Sequence, residues 1–184
     1  MSLVLRRAGA DDAAFIGEML AEAASWDRPP GAPPPSLEEL FEVPQTADYL
    51  ESWGRAGDAG LIAESEGRPV GACWFRQMTA DRPGYGFIGP EIPSVGLAVV
   101  PDHQGLGVGR RLLEGLIALA RAQGIATLGI SVAERNERAR NLYTSAGFVP
   151  VGREGDSLTM RVMPRGRQSS SVSNQRSPLA AAAR

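Results

Sequence analysis

One stretch of the sequence, residues 95–132, constrains the fold more than any other, because it joins two strand-like segments through a helix. Val95–Val100 is almost continuously apolar, and Ala126–Val132 is the next strand-like segment. Between them, Gly109–Gln123 places its leucines, its isoleucine and Ala120 on one wide face at helical spacing, and Gly124 ends the helix. Two strands joined in this way form a parallel pair with a right-handed crossover.

The other predicted elements make the sheet mixed. Strands are expected at Leu3–Arg6, Gly60–Ser65, Pro69–Met78, Phe148–Arg153 and Ser157–Met163. Two of the short connections between these strands are typical of hairpins, which need antiparallel pairs. Helices are expected at Asp11–Ala24 and Asn136–Ala146, with shorter ones at Ser36–Phe41 and Gln45–Trp53. The expected fold class is α/β (α+β), with six to seven strands flanked by about four helices.

Length and composition predict one domain and a tail. Residues 1–164 of the 184 carry the periodic segments, whereas 165–184 are rich in Arg, Ser and Ala and are expected to be disordered. Five prolines within 25–36 exclude a helix or an inner strand there. With no signal-peptide layout and no long apolar run, we expect a cytoplasmic protein without a membrane segment.

Residue types exclude several kinds of chemistry. One cysteine, Cys73, and one histidine, His103, offer neither an internal disulfide nor a cluster of metal ligands. All 19 basic residues are arginine, which excludes a catalytic lysine and the lysine of a P-loop. Residues 1–164 carry a net charge of −6, since the tail holds four arginines and no acid. This charge disfavours a nucleic-acid partner and weakly favours a cationic acceptor.

A glycine-rich loop connects the central strand to the strongest helix. Glycines at 105, 107 and 109 follow Gln104 and precede Arg110. Such a loop can direct backbone amides at an anion, and the helix dipole adds favourable partial charge. The alternative is a flexible turn that binds nothing. A dinucleotide-binding loop fits poorly, because the spacing is G-x-G-x-G and position 129 is glycine rather than an acid.

These residues resemble the GNAT acetyltransferase superfamily. Gln104, Gly107 and Gly109 match the pyrophosphate motif of that family, Gln/Arg-x-x-Gly-x-Gly/Ala. The similarity extends to the strand before this motif and to a later helix and strand: Leu97-Ala98-Val99 and Pro101-Asp102 on one side, and Asn136, Ala139, Leu142-Tyr143 and Ala146-Gly147-Phe148 on the other. It covers about residues 3–163, and the specific motifs lie within 95–148.

The resemblance implies that acetyl-CoA binds where strands four and five of the sheet splay apart. Its pyrophosphate would lie on the amides of 105–110, and its pantetheine would pair with the fourth strand like an extra strand. The implied cofactor contacts are Leu97, Ala98, Val99, Gln104, Gly105, Leu106, Gly107, Val108, Gly109, Arg110, Asn136 and Tyr143. Asn136 also has a purely structural interpretation, as a helix N-cap.

The implied activity is direct N-acetylation of a primary amine, on a small molecule or a protein N-terminus, without metal or nucleic acid. The alternatives are a catalytically silent CoA-binding module, or an enzyme that transfers a larger acyl group. A homodimer through exposed sheet edges is a further expectation from the resemblance.

Two residues are candidates for the proton transfers. Tyr143, protonated at neutral pH, is the candidate general acid for the departing thiolate, unless it is only a core aromatic. The predicted fourth and fifth strands carry no carboxylate, and Ser131 stands where many relatives use an acid. Glu91 is therefore the candidate base, acting through water, and its alternative role is a solvated loop acid.

The acceptor site is expected in the N-terminal half of the chain. Candidate wall residues are Trp26, Trp53, Phe75 and Tyr85, with Asp27 and Glu91 as partners for a cation. Each aromatic has an alternative role as a core or loop anchor.

Overall fold

A computed structural model describes residues 2–164, in which seven strands form one mixed sheet. The strands are β1 (Leu3–Arg7), β2 (Ala59–Ser65), β3 (Arg68–Arg76), β4 (Ser94–Val99), β5 (Leu128–Ala133), β6 (Val149–Glu154) and β7 (Ser157–Val162). Their order is β1-β2-β3-β4-β5-β7-β6. Only β4 and β5 run parallel, and every other neighbouring pair is antiparallel. The mixed sheet predicted from the sequence is thus confirmed, whereas the predicted tail, 165–184, lies outside the described residues.

Five helices accompany the sheet within the described range. They are α1 (Ala13–Ala24), α2 (Leu37–Phe41), α3 (Pro44–Ala47), α4 (Val108–Ala122) and α5 (Glu137–Ser145). Two 3₁₀ turns, Ala10–Asp12 and Pro101–His103, precede α1 and α4. Residues 25–36 form neither helix nor strand, as their prolines predict. Between residues 2 and 164, no helix combines the length and the apolar character that crossing a lipid bilayer requires.

The helices cover both faces of the sheet. Leucines of α4 are fully buried against one face, and α1 buries Ile16, Met19 and Leu20 against the other. Because side chains alternate along a strand, neighbouring residues of β3 belong to different layers. Cys73 and Phe75 pack under α4, whereas Trp74 packs under α1.

The predicted helix Gln45–Trp53 is shorter than the sequence pattern suggests. It ends at Ala47, and the chain then follows a series of turns. The cause is Arg76, a fully buried arginine whose guanidinium pairs with Asp58 at 2.6 Å. The same guanidinium also donates to the carbonyl oxygens of Asp48, Glu51 and Ser52 at 3.1, 2.8 and 3.3 Å. The backbone after Ala47 therefore turns towards Arg76 and does not continue as a helix. Satisfying a buried arginine in this way fixes the segment on the sheet.

Candidate active site

A cleft opens where β4 and β5 separate. The two strands are in register at a single pair, Ser94 and Gly129, and the amide of Gly129 donates to the carbonyl of Pro93 at 2.9 Å. Beyond this pair the strands diverge and enclose a cleft of about 1450 Å³. The splayed sheet expected from the sequence is therefore present, and its apex lies at Ser94.

One edge of β4 faces this cleft. On its other edge, β4 pairs with β3 along its whole length, from Ser94 to Val99. On the side of β5, the ladder stops at Ser94. Leu97, Ala98 and Val99, three of the predicted cofactor contacts, line the cleft. Their backbone leaves an edge on which an extended ligand can add like another strand.

The glycine loop closes one end of the cleft. Gly105 and Gly107 have φ angles of +80° and +83°, the left-handed region that glycine adopts without penalty. Gly107 is the N-cap residue of the 15-residue helix α4, and no side chain caps this terminus. The amides of the first turn are therefore available to an anion, and the helix dipole favours one there.

The predicted cofactor residues of this loop divide into two groups. Gln104, Gly105, Gly107, Gly109 and Arg110 line the cleft. The side chains of Leu106 and Val108 do not, since Leu106 is 58% exposed to solvent and Val108 is 1% exposed in the core under α4. The predicted contacts at these two positions are thus limited to their backbone amides.

A hydrogen-bonded bridge ties the glycine loop to both neighbouring elements. The side-chain amide of Gln104 donates to the carbonyl of Val99 at 2.9 Å, and its Oε1 accepts from Arg138 Nη1 at 3.0 Å. Arg138 lies in the first turn of α5 and lines the cleft. Arg138 is absent from the sequence-based candidates, although its place two residues after Asn136 was a usable signal.

Asn136 and Tyr143 lie on the cleft wall at the two ends of one face of α5. Asn136 is the N-cap of this helix, and its Oδ1 accepts from the amide of Ala139 at 3.0 Å. The capping role predicted as an alternative is therefore confirmed. The cap uses only the oxygen, so the side-chain NH₂ is left for another contact.

Tyr143 is 7% exposed, and its ring packs on Phe148 with the centroids 5.9 Å apart. Burial raises the pKa of the Tyr143 hydroxyl well above its ordinary value, because the charged phenolate would lose its solvation. Within residues 2–164 this hydroxyl makes no hydrogen bond, although the residue lines the cleft. The Tyr143 hydroxyl is thus a proton donor that has no partner among the residues that the structure describes.

Two further aromatic residues of the cleft, Tyr49 and Trp74, are absent from the sequence-based candidates. Trp74 Nε1 donates to the carbonyl of Tyr49 at 3.1 Å, and the Tyr49 hydroxyl donates to the carbonyl of Tyr85 at 3.0 Å. Burial raises the pKa of Tyr49 as well. The hydroxyl of Tyr49 is thus engaged with the protein, in contrast to that of Tyr143.

At the cleft wall, Arg135 stacks on the ring of Trp26. Trp26 and Tyr85, both predicted acceptor residues, line the wall. The guanidinium of Arg135 lies 5.6 Å from the ring centroid of Trp26 and pairs with Asp27 at 2.7 Å. Asp27 therefore lies beside the predicted wall residue, but its carboxylate already has a cationic partner.

Three predicted site residues lie elsewhere. Trp53 donates its Nε1 to the carbonyl of Gly9 at 2.9 Å and is not part of the cleft wall. Phe75 is fully buried under α4, on the face of β3 opposite to Trp74. Glu91 is exposed in the loop before β4, and its carboxylate is absent from the wall. The structure thus brings none of these three residues to the cleft wall, although the sequence predicts Trp53 and Phe75 as acceptor contacts and Glu91 as a base acting through water.

Comparisons with known proteins agree with this geometry. The model of the Acetyltransferase (GNAT) family matches residues 19–148. L-amino acid N-acyltransferase MnaT of Escherichia coli is 43% identical over 150 residues, which are 79% of this chain and 78% of that protein. [Ribosomal protein bS18]-alanine N-acetyltransferase of the same species is 48% identical over 52 residues, which are 28% of this chain.

Coverage differs among these proteins. The chain spans only 35% of the length of the bS18-alanine enzyme. Among solved structures, yncA of Salmonella typhimurium with its cofactor acetyl-CoA superposes with a TM-score of 0.64 at 22% identity, covering 94% of this chain and 99% of that one. This likeness shows a shared fold. By the match of its family model over most of the described residues, the chain belongs to the GNAT acetyltransferase family.

Proposed function

We propose that this chain transfers the acetyl group of acetyl-CoA directly to a primary amine. One observation carries the proposal: the unpaired edge of β4 leads from the strand apex at Ser94 to a glycine loop whose amides open a helix. An extended arm and a pyrophosphate need these two features in this order. Neither a flexible turn nor a closed sheet would supply both.

The residues present fit acetyl-CoA. The amides of 105–110 would hold the pyrophosphate, and Leu97–Val99 would hold the pantetheine arm. Gly105 and Gly107 combine a left-handed φ with open space, since a Cβ on Gly107 would meet nothing within 4 Å and one on Gly105 only the end of Arg138 at 3.9 Å. Arg110 and Arg138 add positive charge to the wall near this loop, which favours an anionic ligand.

Acetyl-CoA, when bound, supplies an acetyl group activated as a thioester. A C–N bond forms to the acceptor as the C–S bond breaks, so the amine must lose a proton and the departing sulfur must gain one. Tyr143 Oη is the proposed donor of the second proton, because its hydroxyl is protonated and has no other acceptor in the described residues. Backbone amides of the splayed strand would polarise the thioester carbonyl.

The two strands that enclose the cleft carry no carboxylate that could take the first proton. Within the described residues, β4 and β5 contribute no acid to the wall, and the two wall acids are Glu22 and Glu137. Glu22 is bound by both of its oxygens to Arg28 at 2.8 Å. Glu137 is exposed in the first turn of α5, next to Arg138, which bonds Gln104 at the glycine-loop end of the cleft. An acceptor that is partly neutral near pH 7 therefore suits the site. The α-amine of a peptide N-terminus, with a pKa of about 7.7–8.0, meets this condition better than an alkylamine at about 10.4. The choice of a free amino acid therefore rests on other observations.

We infer that the acceptor is an amino acid rather than a polyamine. The similarity to an L-amino acid N-acyltransferase extends over 78% of that protein, far more than the similarity to the bS18-alanine enzyme. Arg135, whose side chain is 74% exposed, stacks on Trp26 and pairs with Asp27 through Nη2. Its other N–H donors can bind the carboxylate of an acceptor. The net charge weakly favours a cationic acceptor, but Glu22 already pairs with Arg28 and is not available to bind a cation.

The test is thiol release from acetyl-CoA in the presence of an acceptor panel. The panel contains L-amino acids, a peptide beginning with alanine and spermidine, and mass spectrometry identifies the acetylated product. We expect release with at least one amino acid, and less with the peptide and spermidine. Saturable binding of acetyl-CoA without release on any amine would support the silent CoA-binding module instead.

Location and assembly form part of the same proposal. A cytoplasmic enzyme agrees with a single cysteine, Cys73, which is free and buried. A homodimer would use an exposed sheet edge, and β6 is such an edge, with all six residues exposed. Light scattering on the purified protein distinguishes a dimer from a monomer.

A further inference from the structure

The floor of the cleft beside its apex is formed by one aromatic ring. Trp74 is one of the residues that line the cleft, and its fully buried indole packs directly against Gly96 of β4. A Cβ on Gly96 would lie 2.6 Å from Trp74 Cε2 and 2.9 Å from Cη2, which no real side chain tolerates. The indole therefore occupies the space that a side chain at position 96 would fill.

This ring lies where the acyl end of the donor would arrive. From the glycine loop, a ligand that follows the free edge of β4 passes Val99 and Leu97 before it reaches Gly96. Two residues further, the pairing of Ser94 with Gly129 closes the slot. A chain that continues beyond the thioester must therefore pass between this closed apex and the Trp74 ring.

The ring is held firmly in this position. Its Nε1 donates to the carbonyl of Tyr49 at 3.1 Å, and Tyr49 is itself anchored through its hydroxyl to Tyr85 at 3.0 Å. The neighbouring carbonyl of Asp48 accepts from the buried Arg76 at 3.1 Å. A wall fixed by hydrogen bonds at several points cannot move aside cheaply for a longer chain.

We propose that Trp74, packed on Gly96 and held by Tyr49, sets the length limit of the acyl group and restricts the donor to acetyl or a similarly short acyl-CoA. The inference rests on the proposed function, since it assumes that the thioester lies beside Gly96. It addresses the alternative of a larger acyl group, and it names a specificity-determining residue. Each extra methylene must displace a close-packed ring, and pockets of this kind discriminate about 10- to 200-fold per methylene.

The test is calorimetric titration of the full-length protein with acetyl-CoA, butyryl-CoA and free CoA. The variants are Trp74→Ala and the milder Trp74→Leu, which keeps an apolar side chain in case the alanine variant does not fold. The matched control is Phe75→Leu, the next residue of β3, equally buried but on the opposite face of the sheet. Because each comparison is a ratio of two dissociation constants in one preparation, a loss of folded protein does not affect it.

We expect the wild type to bind butyryl-CoA at least about 100-fold more weakly than acetyl-CoA, because butyryl carries two more methylenes. Trp74→Leu should reduce this ratio to about three or less, and Phe75→Leu should leave it unchanged. Equal affinities in the wild type, an unchanged ratio in both Trp74 variants, or an equal change in Phe75→Leu would each overturn the assignment. If neither acetyl-CoA nor free CoA binds the folded wild type, the proposed function fails, and the length limit fails with it.

Discussion

Ser94 of β4 and Gly129 of β5 are the only register partners of these two parallel strands within the described residues, and every strand residue beyond them diverges. This pair converts a continuous sheet into a cleft with a closed apex. Isoleucines of the preceding loop pack over Gly129, where a Cβ would lie 3.2 Å from Ile88 Cδ1. The separation of β4 and β5 thus begins at a residue pair, Ser94 and Gly129, that is closely packed on the side of Gly129.

The first prediction concerns Tyr143. Replacing it with phenylalanine keeps the ring that packs on Phe148 but removes the proposed proton donor. We expect kcat to fall by about 100-fold or more, with little change in acetyl-CoA affinity or stability. Steady-state kinetics and calorimetry on the same preparation check this.

Tyr49 is the other buried tyrosine of the cleft that could serve as the proton donor, so Tyr49→Phe should be measured alongside Tyr143→Phe. Its hydroxyl already donates to the carbonyl of Tyr85, so its loss should cost less activity than the loss of the Tyr143 hydroxyl. A larger decrease in kcat for Tyr49→Phe than for Tyr143→Phe would identify Tyr49 as the acid.

The expected pH dependence of kcat follows from the raised pKa of the Tyr143 hydroxyl. Burial raises the pKa of this tyrosine above its ordinary value of about 10, so the proton donor stays loaded throughout the neutral and mildly alkaline range. We expect kcat to rise as the acceptor amine loses its proton and then to stay level up to about pH 9.5. A decline that begins near pH 8, and that Tyr143→Phe abolishes, would contradict the shift.

The glycine loop supplies a matched pair of variants. Gly107 and Gly67 both have left-handed φ angles, +83° and +76°, and a Cβ at either position would meet nothing within 4 Å. Alanine should therefore strain both positions similarly, by about 1–2 kcal/mol of unfolding free energy. Only Gly107→Ala should weaken acetyl-CoA binding, because Gly67 lies in the turn between β2 and β3. Equal acetyl-CoA affinity in the two variants would show that the loop does not bind the donor.

Asn136 has two roles that substitutions can separate. Asn136→Ala removes the cap of α5 and should cost about 1 kcal/mol of stability. Asn136→Ser keeps an oxygen for the amide of Ala139 but removes the side-chain NH₂. We expect Asn136→Ser to retain the stability and to lose acetyl-CoA affinity, as measured by denaturant unfolding and calorimetry. Wild-type affinity in the serine variant would leave Asn136 as a cap alone.

Local sequence patterns predicted the parts of the site that depend on local backbone conformation. Glycines spaced two apart between a strand and a helix predicted a loop that directs its amides at an anion, and the left-handed φ angles of Gly105 and Gly107 agree with such a loop. Asn136 before a helical segment indicated a cap, and the cap is present. These features depend on a few neighbouring residues, so the sequence reveals them without the rest of the fold.

Features that depend on distant residues could not be predicted. The apolar run of β3 does not alternate, so its pattern could not tell that Trp74 rather than Phe75 faces the cleft. The early end of α3 required knowing that Arg76, far along the chain, would bind the carbonyls of the segment after it. The position of Glu91 depends on the path of a long loop that has no periodic signal.

The most direct test of the account is calorimetric titration of the wild-type protein with acetyl-CoA, beside dephospho-CoA and ATP. We expect saturable binding of acetyl-CoA in the micromolar range, selective over ATP, because the β4 edge and the glycine loop recognise the pantetheine arm and the pyrophosphate together. No binding by properly folded protein, or equal binding of ATP, would contradict the claim that this cleft is an acetyl-CoA site.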